Sequence, residues 1–188
     1  MQLASHSVKD HSSHPRNVGD AGEPSFTGRA ASLACGAALR LSIQIDESHR
    51  ISQAKFKAAG CSLLVASLSL LTEQVKGKTT AEAAAIGVEP DVIRDQLGIL
   101  DPDKTRCLRL ACDALLGAVR EYSNAARNEW NGDDALICTC FCVSEETIER
   151  EIRQKGLGSV AEVTRACNAG GGCGSCHQLI EEMLTSDL

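Results

Sequence analysis

Residues 39–77 read LRLSIQIDESHRISQAKFKAAGCSLLVASLSLLTEQVKG, and the hydrophobic period changes inside this one stretch. Leu39, Leu41, Ile43 and Ile45 alternate with Arg40, Ser42, Gln44 and Asp46, the two-residue repeat of a half-buried strand with one wet face. Residues 46–50 are polar turn material. Ala54, Phe56 and Ala58 then alternate with Lys55 and Lys57, so an antiparallel hairpin is the simplest reading. Past Gly60-Cys61-Ser62 the spacing becomes helical: Leu63, Leu64, Leu68, Leu71 and Val75 recur on one side, and Gly77 supplies a stop. Strands followed by helices, without alternation of the two, indicate an α+β fold in which a small antiparallel sheet packs against helices.

Upstream of this stretch, a third, shorter strand is expected around residues 26–29. Residues 1–24 are polar and carry Pro15, Gly19, Gly22 and Pro24, which predicts an extended or irregular entry. His6, His11 and His14 read there as solvated side chains rather than metal ligands. Downstream, Thr79-x-x-Glu82 has the pattern of a capping box for an alanine-rich helix ending at Gly87. A short helix follows over 90–97. Asp101-Pro102 reads as an N-cap and first helical residue. Leu108, Ala111, Leu115, Val119 and Tyr122 form one face of a long helix over 103–126.

The spacing of turn residues divides the chain into a first domain over 1–126, a linker over 127–136 and a second domain over 137–188. The second is expected to be small and all-α. Ser144 caps a charged helix that stops at Gly156, Ser159-x-x-Glu162 caps another, and a last helix runs over about 174–184. Charge follows the same division. Residues 1–126 carry 14 basic and 14 acidic side chains, whereas residues 127–188 carry 5 and 11, which accounts for the whole formal charge of −6. No basic footprint is present, which excludes nucleic acid as the expected partner. No run approaches the ~18 apolar residues of a membrane span, and the start MQLASHSVKDHSS lacks the apolar core of a signal peptide. A cytoplasmic location is expected.

Ten cysteines among 188 residues is about 5%, below the roughly 8% of disulfide scaffolds. In a reducing compartment such a number points to metal or sulfur chemistry. Cys138-x-Cys140 and Cys173-x-x-Cys176 are two close pairs, the second beside a glycine run whose backbone N–H groups can approach inorganic sulfide. Four thiolates suit an iron–sulfur cluster or a zinc ion, and Cys142 leaves the pairing within C-x-C-x-C open. Cys35, Cys61 and Cys107 stand singly in three different elements. Cys61 lies at a helix start, where the dipole lowers a thiol pKa. Cys107 has Lys104 and Arg106 beside it, and Arg106 is expected to depress its pKa. All three could meet at one end of the sheet. No Ser/His/Asp set, carboxylate pair or phosphate loop suggests an enzyme, since no Gly-Lys-Ser/Thr follows the GGGCG run.

These segments carry a resemblance across nearly the whole chain. HPRNVG, SLACGAALRL, FKAAGCSLLVASLSLLTEQVKGKT and LDPDKTRCLRLACDAL resemble the amino-terminal, IscU-like domain of the NifU family of iron–sulfur cluster scaffolds. ALICTCFCVSEETIEREI and NAGGGCGSCHQLIEEML resemble that family's central domain, related to bacterioferritin-associated ferredoxin (BFD). The family pattern continues into a carboxy-terminal Nfu-type domain with a further C-x-x-C, and the chain stops at Leu188 before it.

The resemblance implies roles residue by residue. Cys35, Cys61 and Cys107 match the scaffold cysteines, which take sulfur from a cysteine desulfurase of the NifS or IscS type and hold a transient cluster, or iron or zinc, before passing it to apo iron–sulfur proteins. Cys138, Cys140, Cys173 and Cys176 match the ligands of a permanent, redox-active [2Fe–2S] cluster. Cys112, Cys142 and Cys167 have no family role. A homodimer is implied, and an Hsp70-type chaperone is a further candidate partner, although the family's Leu-Pro-Pro-x-Lys stands here as Leu100-Asp101-Pro102-Asp103-Lys104. The family's Cys-Gly-Asp reads Cys35-Gly36-Ala37, and its histidine before the third cysteine is Arg106. With Ala37 and Arg106 two oxygen or nitrogen donors are gone and three soft thiolates remain, so a more tightly held cluster, or a different trigger for its release, is expected. The alternatives are an electron-transfer ferredoxin of the BFD type with a docking domain, and a zinc-stabilised interaction protein.

Overall fold

A computed structural model describes residues 6–99, 101, 105–130, 132 and 134–186. The first unit opens with α1 (His6–Ser13) and then forms β1 (Phe26–Ser32), β2 (Ala37–Ile45) and β3 (Ile51–Ala59). The strands lie side by side in that order, all antiparallel. Four helices follow: α2 (Ser62–Val75), α3 (Thr80–Val88), α4 (Asp91–Leu97) and α5 (Thr105–Glu129). The α+β architecture read from residues 39–77 is the one observed.

Register explains which face is covered. Gly28, Leu41 and Phe56 are partners across the sheet, as are Phe26, Ile43 and Ala54. Leu41 and Ile43 are fully buried, beneath α5 on β1 and β2 and α2 on β3. The alternate positions face outward: Asp20 pairs there with both Arg40 and Lys57, and Ser42 Oγ accepts from the Ala21 N–H at 3.0 Å. α5 reaches its place through small residues. Gly28 passes so close to Ala114 and Ala118 that a Cβ on it would overlap the helix backbone. Tyr122 meets Phe26 edge-on, with ring centroids 5.1 Å apart.

The capping box at Thr79 and Glu82 is present with both hydrogen bonds, and Gly98 ends α4 in the left-handed conformation. Asp101-Pro102 as a helix start, together with most of the Leu100–Lys104 motif, falls outside the described residues.

Several expectations change. Residues 6–13 are helical rather than irregular. Val8 and His11, one turn apart, are buried against α2, and His11 Nδ1 lies 2.9 Å from Ser69 Oγ. Tertiary packing therefore orders a polar segment with no helical period of its own. His11 is accordingly a buried residue, not a solvated one, and burial chiefly lowers its pKa, the Arg16 charge adding to it. The long helix also continues to Glu129, three residues into the expected linker.

The second unit begins with β4 (Leu136–Cys138) and β5 (Val143–Ser144), a short antiparallel pair that the all-α reading lacked. It continues as α6 (Glu145–Lys155), α7 (Val160–Cys167) and α8 (His177–Ser186) around Ile148, Val163 and Ile180. Ser144 and Ser159 cap α6 and α7 as expected. The units touch where α7 meets α3: Asn168, buried and left-handed, accepts from the Ala81 N–H at 3.3 Å. No helix among the described residues is long and apolar enough to cross a membrane.

Candidate functional site

The antiparallel register brings two loops to one end of the sheet. Ser32 pairs with Ala37, so the β1–β2 turn holds Cys35 at its tip, with Gly36 in the left-handed conformation. Ala38 pairs with Ala59, so β3 delivers Cys61 to the same end, as the N-cap of α2. The first turn of α5 places Cys107 against it: the Cys61 and Cys107 sulfurs are 3.4 Å apart. Cys35 and Cys61 are exposed and Cys107 is half-buried. Cys35 does not touch this pair, but its charge is felt at Cys107.

The thiols differ in acidity. Hydrogen bonds from the Ser32 side chain and the Ala37 N–H hold Cys35 below the usual thiol value. Burial, reinforced by the hydrogen bond with Cys61, pushes Cys107 up to about 12. The depression expected from Arg106 is not found: Arg106 is exposed, and the shift at Cys107 is set by desolvation, Cys61 and Cys35. Lys104 lies outside the described residues. Ala37 is buried, with its methyl against Gly60, immediately before Cys61.

The second unit collects four thiols as two pairs. Cys138 ends β4, Cys140 follows in the turn, and Cys173 and Cys176 precede α8. The Cys140 and Cys173 sulfurs are 3.5 Å apart, and Cys138 and Cys176 are hydrogen-bonded. The loop between α7 and α8 folds its N–H groups onto these sulfurs. Gly170 donates to Cys176, Cys173 to Cys140, and Ser175 to Cys173. The Ser175 hydroxyl, 3.1 Å from the Cys173 sulfur, is the main cause holding that thiol down to about 7. Burial, with the charge of Cys138, raises Cys176 to about 11. A Cβ on Gly172 would come within 2.8 Å of the Cys140 sulfur, so glycine is what lets this loop close over it. His177 Nε2, 2.7 Å from the Gly170 carbonyl oxygen, fixes the loop at its start.

Sequence reasoning had no role for Ser32, Ser175 or His177. Ser175 was nonetheless visible between the paired cysteines. Among the described residues no three His, Cys, Asp or Glu side chains converge as a formed metal set, and the thiols stand as pairs. The donor set of the second unit is all sulfur with surrounding N–H groups. It fits a group with soft metal and sulfide acceptors better than a hard cation.

The remaining cysteines lie elsewhere. Cys112 and Cys167 are buried packing residues, both with raised pKa values from burial. Cys142 has a φ of 53° and directs its sulfur to the Ser123 carbonyl of α5 at 3.8 Å. That contact places the second unit's turn far along α5 from Cys107. Sixteen residues at 1.5 Å each give about 24 Å. The turn that carries Cys138 and Cys140 thus lies toward the far end of α5 from Cys107.

Comparison with known proteins divides the chain in the same way. Residues 3–129 match the model of the NifU-like N terminal domain, and residues 136–186 match that of the BFD-like [2Fe-2S] binding domain. The nitrogen fixation protein NifU of Trichormus azollae is 39% identical over 179 residues, covering 90% of this chain and 59% of the relative. The chain therefore spans about three fifths of that protein's length. The iron-sulfur cluster assembly scaffold protein IscU of Azotobacter vinelandii is 44% identical over 120 residues, 62% of this chain and 91% of the relative. A crystal structure described as a putative iron-sulfur cluster assembly scaffold protein for the SUF system, from Fervidobacterium islandicum, shares the fold. Its TM-score is 0.52 at 24% identity, over 61% of this chain and 95% of that one.

Proposed function

The chain belongs to the NifU-like N-terminal domain family, and from that premise we propose that it is a scaffold, not an enzyme, on which iron–sulfur clusters are built at Cys35, Cys61 and Cys107 and handed to apo-proteins. The observation that carries this reading is the 3.4 Å approach of Cys61 to Cys107 at the end of the sheet where Cys35 is also presented. Sulfur comes from a cysteine desulfurase as persulfide. Cys35 is the thiol best prepared to accept it, being exposed and more acidic than usual, so more of it is thiolate. Its sulfur attacks the outer sulfur of the donor persulfide; the donor S–S bond breaks, a new one forms on Cys35, and the donor leaves as thiolate. Cys107, half-buried and reluctant to ionise, ligates only once a metal ion compensates its charge.

In the second unit Cys138, Cys140, Cys173 and Cys176 would hold a resident [2Fe–2S] cluster, which supplies one-electron redox chemistry when bound. The chain's own part is to offer four thiolates in two pairs. The 170–176 loop aims its N–H groups at them, which favours negative charge on the sulfurs and sets the potential.

Anaerobic incubation of the purified chain with desulfurase, cysteine and ferrous iron tests the reading. The outcome expected is a second, labile iron–sulfur absorption, beyond the colour the protein has when isolated, that disappears on transfer to an apo-ferredoxin. Absence of any added cluster would leave a ferredoxin with a docking domain. A colourless, zinc-containing protein would exclude the resident cluster.

Ala37 modifies this function. Its methyl lies beside Gly60, the residue before Cys61, so a carboxylate introduced at 37 adds an oxygen donor next to the scaffold thiols. Ala37→Asp therefore shortens the lifetime of the labile cluster and speeds its transfer, by about ten- to hundredfold, the usual size of a changed metal-site neighbour. Unchanged lifetime and transfer in a variant that melts normally would contradict this.

A further inference from the structure

A polar cleft of about 340 Å³ lies where the β2–β3 turn of the first unit meets α6 and α7 of the second. Its lining runs against the charge of the chain. Residues 127–188 hold only five basic side chains, yet three of them, Arg150, Lys155 and Arg165, line this cleft. The first unit adds Arg50 and His49, and the opposing carboxylates are Glu47 and Glu151.

These groups are not equally committed. Lys155 Nζ is 2.6 Å from Glu151 Oε2, an internal pair on α6 that largely cancels. Arg50 is a strut between the units. Its guanidinium donates to the Gly77 carbonyl at 2.9 Å and to the Arg165 carbonyl at 3.4 Å, and lies 3.9 Å from Glu82. His49, held at a φ of 57°, places Nδ1 2.9 Å from the Tyr122 hydroxyl. Among the described residues the Arg150 and Arg165 guanidiniums have no hydrogen-bond partner. Both line one cleft, Arg165 lying close enough to Glu162 to lower that carboxyl's pKa, and guanidiniums match the oxygens of a small anion bidentately. The volume sits at the small end of the roughly 300–1,000 Å³ of small-molecule sites.

We infer that this cleft binds a small multivalent oxyanion, phosphate or a carboxylate of the citrate type, between Arg150 and Arg165, and that the bound anion fastens the second unit to the first. Arg150 comes from α6, Arg165 from α7, and the strut Arg50 from the β2–β3 turn, so an anion held there joins three elements of two units. Glu47, also in the lining, opposes an anion, which keeps the affinity modest. The cleft lies at the turn end of the sheet, away from Cys35 and Cys61, so occupancy acts on the arrangement of the units and not on the thiols.

The full chain, with whatever cluster it carries when isolated, is titrated calorimetrically with sodium phosphate and, separately, with citrate at low ionic strength. Saturable binding tighter than about 1 mM is expected for at least one of them. Binding of phosphate alone, of citrate alone, or of both in competition supports the site and names its source. The Arg150→Gln/Arg165→Gln double variant is expected to bind at least about tenfold more weakly, with unchanged melting and visible spectrum. Saturating anion is expected to slow proteolysis within residues 127–136 in the wild type and not in the variant. No saturable binding of either anion, or equal binding by the double variant, overturns the site. Unchanged cleavage at saturation overturns the fastening role.

Discussion

Replacing Cys35, Cys61 and Cys107 together by alanine abolishes the labile cluster formed on reconstitution and leaves the [2Fe–2S] absorption of the second unit at full intensity. Two features of the structure support both halves of this expectation. Cys35 and Cys61 are exposed and Cys107 half-buried, so none of the three is a core residue and the fold survives their loss. The turn that carries Cys138 and Cys140 meets α5 through Cys142 at Ser123, about 24 Å along the helix from Cys107. Iron and acid-labile sulfide, counted before and after reconstitution, measure the effect: the wild type gains both and the variant gains neither. On the proposed reading, the same separation leaves the paramagnetic signal of a reduced cluster in the second unit identical with the first site loaded or empty. Loss of the second unit's colour in the triple variant, or a labile cluster surviving in it, would show that the thiols are not two independent sets. Cys112→Ala is the counterpart: a fully buried thiol in the middle of α5, whose loss lowers stability by about 1–2 kcal/mol and leaves assembly unchanged.

The division of the cysteines was legible only in part from local signals, the choice of Cys138 and Cys140 over Cys142 being implied by the family resemblance. A change of period at residues 60–62 places Cys61 at a strand-to-helix junction, and the register of a hairpin carries Cys35 and Cys61 to one end without further information. What could not be read depends on burial. The sign of the shift at Cys107 follows from its desolvation and from Cys61, and not from the Arg106 visible beside it. α1 was illegible because its two buried residues, Val8 and His11, find their partners on α2, some sixty residues on. β4 and β5 are too short, at three and two residues, to show an alternation. The left-handed Cys142 between them has no signature, since the position would suit glycine or asparagine better. The cleft at Arg150 and Arg165 is invisible for a further reason: its charges come from separate elements, and only the docking of two units brings them together.

Gly28→Ala is the substitution expected to do the most damage outside the cysteines. A Cβ at that position would stand 1.7 Å from the Ala114 carbonyl oxygen and 2.6 Å from the Ala118 nitrogen, backbone atoms that no rotamer change can move. β1 and α5 must separate by more than an ångström to admit it. α5 carries Leu108, Ala111, Leu115 and Ala118 in the core, so separation opens the whole layer. The loss is placed at or above the upper end of over-packing, about 3 kcal/mol, a fall in melting temperature on the order of 10 °C. Gly117→Ala approaches the same crossing from the helix side, yet its Cβ would lie 3.1 Å from the Gly28 Cα, a contact relieved by a few tenths of an ångström. There the gain of about 1 kcal/mol for alanine over glycine in a helix offsets much of the strain, and thermal melting stays within a few degrees of wild type. The two variants separate close approach from glycine's helix propensity, because only the first meets backbone. The consequence reaches the thiols. Cys107 is fixed by the N-terminal turn of α5 and Cys35 by the far end of β1, so a helix lifted off that strand also carries Cys107 away from Cys61. Gly28→Ala that still folds, measured by circular dichroism, is therefore expected to lose labile-cluster assembly while keeping the second unit's colour. A variant that melts and assembles like the wild type would mean that the β1–α5 crossing does not position the scaffold cysteines.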